Sequence, residues 1–201
     1  MAFLGFTFAL LYANQLACDR ISITMNDFLR AMQRFVAIES VGPSTVRSQG
    51  KGVLAAVREY LAVIDLNAVP DDPKGYKRWL NRQTKKLVGR LEPLARRRPW
   101  GTARKVLNLF MRTAFYNHYL RESYDLDSLK DLLEVPLDSV TATALRKEAK
   151  KEGVRLSRWP GLCNLTPATS EQYQDFARLL ASHQGVTPAV HLDIILWTAN
   201  R

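Results

Sequence analysis

The residues best suited to chemistry lie near the C-terminal end. Asp193 stands directly before Ile194-Ile195-Leu196-Trp197, a run in which a lone acid is an odd choice for packing. A carboxylate there has two readings. It can cap or complement the start of an apolar helix, worth about 1 kcal/mol. It can also stand beside a developing positive charge, as when a glycosidic bond breaks and the sugar gains oxocarbenium character. Trp159 and Trp197 offer flat aromatic walls, as do Tyr116, Tyr119 and Tyr173, although each is also an ordinary core residue. Asn108 sits inside an apolar stretch and either ties helices together or reads a ligand. Asp138 reads first as a helix cap and second as a group reaching a pocket. His191, two residues before Asp193, is a loop hydrogen-bonder or a pocket member.

Several chemistries are excluded. His118, His183 and His191 are scattered and make no metal motif. Cys18 and Cys163 supply neither a disulfide framework nor a zinc knuckle. There is no Walker loop and no dinucleotide fingerprint, so no metal or cofactor is expected.

Charge adds a partner. The chain carries a formal net charge of +10 with a pI near 9.9. Residues 74–105 hold twelve Lys and Arg against a single acid, Glu92, and the remainder is close to neutral. One basic segment on a neutral body is the footprint of a polyanion binder, although such runs also serve as plain solvated faces. Lys85, Lys86, Arg96, Arg97, Arg98, Arg104 and Lys105 are the expected phosphate contacts, with Gly161 from a later loop.

Helical periodicity must position these groups. Phe28, Met32, Phe35 and Val36 form one apolar stripe, and Asn26 or Asp27 is the expected cap. Val41-Gly42-Pro43-Ser44-Thr45 and Ser48-Gln49-Gly50-Lys51-Gly52 read first as a flexible connector and second as a loop that touches a ligand. Val53 to Ile64 is a second helix. Val69-Pro70-Asp71-Asp72-Pro73 starts the basic helix, and Thr102 to about Tyr119 is apolar around much of its surface. Asp127 and Asp138 head two further helices, the second running to about Lys151. Thr169-Ser170-Glu171 heads another, to about His183, and Thr187-Pro188 begins the last. No alternating strand pattern and no repeat is present. The expected fold is all-α, a compact bundle of about eight helices in one body or two lobes.

Trp159-Pro160-Gly161-Leu162, the helix after it, and Asp193 at the head of the final helix resemble the helix-hairpin-helix superfamily of base-excision DNA glycosylases. The resemblance covers roughly residues 100–201 and is strongest in the last 45 residues. It implies one glycosylase-like domain over residues 25–201, with Asp193 as the catalytic carboxylate. It also implies a pocket for a base flipped out of modified duplex DNA, drawn from Trp159, Trp197, Tyr116, Asn108, Asp138 and His191. Two features depart from the family. The gap from the hairpin to Asp193 is long, and no lysine lies between Leu156 and Arg201 to act as a lyase nucleophile. Lys147, Lys150 and Lys151 are the nearest substitutes. A monofunctional glycosylase is therefore expected, serving genome repair or attack on modified foreign DNA. The competing expectation is a non-catalytic helical DNA- or RNA-binding protein, with Asp193 as a cap.

Residues 1–24 are an apolar segment without the basic n-region of a secretory signal, and the run is short for a membrane span. A cytoplasmic monomer without membrane attachment is expected.

Overall fold

The computed structural model describes residues 23–199, and the apolar N-terminal stretch lies outside the described residues. Those residues form an all-α bundle. In order, α1 is Met25–Ser40, α2 Pro43–Val46, α3 Val53–Leu61, α4 Pro73–Leu91, α5 Trp100–Tyr116 and α6 His118–Ser123. A 3₁₀ segment, Leu126–Leu132, leads to α7, Ser139–Lys151. A second 3₁₀ turn, Leu162–Asn164, precedes α8, Pro167–His183. A third, Ala189–His191, runs into α9, Leu192–Ala199. No described helix is long and apolar enough to cross a membrane.

Caps explain most boundaries. Thr24, not Asn26 or Asp27, caps α1. Its hydroxyl accepts from Asp27 N at 3.1 Å, while the Asp27 carboxylate accepts from Thr24 N at 3.1 Å. The buried side of α1 is Leu29, Gln33, Val36, Ala37 and Ser40, whereas Phe35 is exposed. Gln33 is buried because it has work there. Its amide donates to Leu61 O at 3.1 Å and Ile64 O at 2.8 Å, carbonyls at and just beyond the end of α3. Asp72 caps α4 and Thr166, upstream of the expected Thr169, caps α8. Asn117 interrupts the long helix expected through Tyr119, because its side chain accepts from Leu120 N and starts α6. Asp127 caps nothing and lies inside the 3₁₀ segment, which Asp125, with φ 47°, precedes.

Two hydrophobic clusters hold the bundle. The first gathers α1 to α6, with Trp79, Leu80, Leu107 and Phe110 fully buried. The second gathers α7, α8 and α9 around Leu145, Tyr173, Ala177 and Leu192. A buried side chain of this size contributes about 1.5–3 kcal/mol, so each cluster is a substantial core. Residues 133–135 form the join. Leu133 belongs to the first cluster and Val135 to the second. Gln174 of α8 locks the join by accepting from Val135 N at 2.9 Å and donating to Val135 O at 2.8 Å.

Candidate active site

A cleft of about 880 Å³ opens between the two clusters. Helix α5, from the first cluster, presents Lys105, Leu109 and Arg112, which recur on one face at i, i+4 and i+7. The second cluster brings Pro136 and Asp138 ahead of α7, and Asp193, Ile194 and Trp197 from α9. The loop before α8 adds Trp159, Gly161 and Cys163. Gly161 adopts φ +80°, a conformation that disfavours any side chain. The loop is seated on the start of α5 at Gly101, where a Cβ would lie 2.1 Å from Leu162 O. Only a glycine allows that approach.

Asp193 sits in the first turn of α9 and is buried. Arg112 donates to its Oδ2 and Thr141 donates to its Oδ1 at 3.2 Å. Burial pushes the Asp193 carboxyl above its ordinary range, while Arg112 pulls it back toward the charged form. Asp138 behaves in the opposite sense. It caps α7, accepting from Val140 N at 2.9 Å and Thr141 N at 3.0 Å, and it pairs with Lys105 Nζ at 3.1 Å. Burial opposes the charge on Asp138, but Lys105 and the two amides together hold its carboxyl below the usual range. Thr141 therefore touches both carboxylates, through its amide and its hydroxyl. Two acids pushed apart in this way have different roles available. The lowered Asp138 carboxyl favours its charged form, and of the two acids the raised Asp193 is the better suited to exchange a proton.

The remaining expected residues divide. Trp159, Trp197, Asp138, Gly161 and Lys105 line the cleft with Asp193. Tyr116 and His191 stack on each other, 5.5 Å between centroids, and share a hydrogen bond of 2.7 Å. They do not line the cleft, although Tyr116 is close enough to feel the charges of Arg112 and Asp193. Asn108 faces elsewhere, donating to Glu134 at 3.0 Å. Tyr173 is core, and Tyr119 packs edge-on against Phe28.

The basic segment is also split. Lys85, Lys86, Arg96, Arg97 and Arg98 are exposed. Lys74, Arg78, Arg82, Lys85 and Lys86 recur three or four residues apart along α4, so their charges share one side. Arg104 does not belong to this row. Its guanidinium is buried, pairs with Glu134 through Nε at 2.8 Å and Nη2 at 2.6 Å, and reaches Asn81 at 2.9 Å. Lys105 is likewise turned inward to Asp138. Helix α5 is packed on its neighbours around most of its girth, so a cation there points into the protein.

Sequence patterns passed over Arg112 and Thr141 and favoured a plain connector at the α1–α2 corner, which lines the cleft. Arg112 had a signal: it is the one strong base after Lys105 in an otherwise apolar helix, seven residues on. Among the described residues, no group of three or more His, Cys, Asp or Glu is placed to hold a metal. No family model, curated protein or solved structure matches the chain.

Proposed function

We propose that this chain is a DNA N-glycosylase of the helix-hairpin-helix type. It would work as a cytoplasmic, cofactor-independent monomer on duplex DNA carrying a modified base. One observation carries the reading: Asp138, Trp159 and the α9 pair Asp193 and Trp197, from three separate stretches of sequence, line a single cleft. Two cations, Lys105 and Arg112, brace the two acids from behind.

In this reading the modified nucleotide leaves the stack and enters the cleft between the tryptophans. The C1′–N bond breaks with its electron pair leaving on the base, which takes up a proton. The Asp193 carboxylate faces the oxocarbenium sugar and accepts a proton from the water that adds to C1′. Arg112 opposes the effect of burial and favours the charged form of that carboxylate. The exposed row on α4 and Arg96–Arg98 holds backbone phosphate without reading sequence.

The Arg112–Asp193 pair also favours a second reading, in which Asp193 is a structural ion-pair partner in a non-catalytic nucleic-acid-binding protein. One experiment separates the two. Duplexes carrying oxidised, alkylated, deaminated or bulky modified bases are incubated with the protein, and abasic sites are then cleaved with alkali. Asp193→Asn is expected to abolish strand scission and retain DNA binding. Full activity in that variant, or no abasic site from any substrate, overturns the glycosylase reading.

A further inference from the structure

The cleft has a wall that the chemistry at Asp193 leaves unused. The end of α1 and the corner around α2 contribute Ser40, Ser44, Thr45, Arg47 and Ser48. These come from the first hydrophobic cluster, whereas Asp193 and Trp197 come from the second. Four hydroxyls and one guanidinium on a short stretch of chain need an explanation. Their internal bonding is slight. Ser40 Oγ makes a long 3.4 Å bond to Ala37 O, and Ser48 Oγ lies 3.9 Å from Cys163 Sγ. Among the described residues, Ser44, Thr45 and Arg47 have no side-chain hydrogen bond or ion pair.

Size points the same way. A cleft of about 880 Å³ is near the top of the ~300–1,000 Å³ range of sites that hold drug-sized ligands. A nucleobase alone is much smaller, and seated beside Asp193 it would leave the α1–α2 wall unfilled. A hydroxyl side chain both donates and accepts, so a row of hydroxyls matches a ligand whose own groups do both. Phosphate only accepts, and a phosphate site would be built mainly from cations; this wall holds one, Arg47, while Lys105 and Arg112 across the cleft are paired with Asp138 and Asp193.

We infer that the base taken by this cleft carries a bulky hydroxyl-rich substituent of the sugar class. The base would lie between the tryptophans and the sugar against Ser44, Thr45, Arg47 and Ser48. This rests on the glycosylase reading and names its substrate class.

The test uses the full chain and duplexes differing at one position. That position holds cytosine, 5-hydroxymethylcytosine, glucosylated 5-hydroxymethylcytosine in either anomer, or one of a set of small lesions (uracil, 8-oxoguanine, 3-methyladenine). Single-turnover base release is expected to be at least ~10²-fold faster from a glucosylated base than from 5-hydroxymethylcytosine, as for a site built to pair with hydroxyls. Ser44→Ala with Ser48→Ala is expected to lower that preference about tenfold without lowering the melting temperature. Release of a small lesion with the glucosylated bases untouched, or equal release of both, overturns the sugar inference and leaves the glycosylase reading standing. An unchanged preference in the double variant also overturns it. Release from no duplex overturns the glycosylase reading and the inference with it.

Discussion

Arg112 on α5 donates a hydrogen bond to Asp193 at the head of α9, joining the two hydrophobic clusters across the cleft. It is the main force opposing burial of the Asp193 charge. Replacing it with methionine lets the carboxyl take up a proton at higher pH, so the acid limb of base release moves upward. On the acid limb the expected loss is about tenfold, the effect of ~1.4 kcal/mol. Arg112→Lys should recover most of it. Single-turnover rates across the pH range check this, and an unmoved acid limb removes Arg112 from the role.

The two acids have opposite linkage to stability. The folded-state carboxyl of Asp193 is raised, so its neutral form favours folding below the ordinary aspartate range. That benefit is lost as pH rises through the raised value. Asp193→Asn removes the buried charge but leaves Arg112 without its partner, so at neutral pH the variant is expected to melt below the parent protein. Asp138 is lowered, so its contribution is present above the ordinary range and disappears as pH falls through the lowered value. Asp138→Ala removes the α7 cap and should cost about 1 kcal/mol at neutral pH. Thermal melts of both variants at neutral and acidic pH give the comparison.

Arg104 predicts a stability defect, not a binding defect. It pairs with Glu134 inside the protein, and Asn108 donates to the same carboxylate. Breaking a buried pair from one side costs about 3–5 kcal/mol, so Glu134→Ala should sharply lower the urea midpoint. Arg104→Ala should do the same while leaving the salt dependence of DNA binding unchanged.

The exposed row predicts the reverse. Lys85→Ala and Lys86→Ala lie on the outside of α4 and should leave the melting temperature nearly unchanged. Each phosphate contact removed should flatten the log–log salt slope on duplex DNA by about 0.9. A slope unaltered in both variants would take α4 out of the interface.

Much of this arrangement was legible before any coordinates. Helix periods, the Asp138 cap and the odd placement of Asp193 are local signals, and each locates a helix end or a polar residue on an apolar run. What periodicity does not carry is direction across the molecule. Arg104 and Lys105 look like members of a basic run, yet their places on a nearly encircled helix turn both inward to Glu134 and Asp138. Phe35 looks like core and is exposed, because Gln33 takes the inward side to bond the end of α3. Tyr116 and His191 lie close to Asp193 in sequence or space, but they spend their polar atoms on each other. The serine-rich corner at α2 looked like a connector because nothing local shows that a cleft lies beside it.

The separation of the two cores has a consequence for descent. A change of side-chain volume at the α1–α2 corner is absorbed by the first core, while Leu192 and Leu196 beside Asp193 pack in the second and Arg112 reaches it from α5. Lineages can therefore drift in what the cleft admits while inheriting the acid and its arginine intact, and the diversity of such proteins should concentrate at residues 40–48.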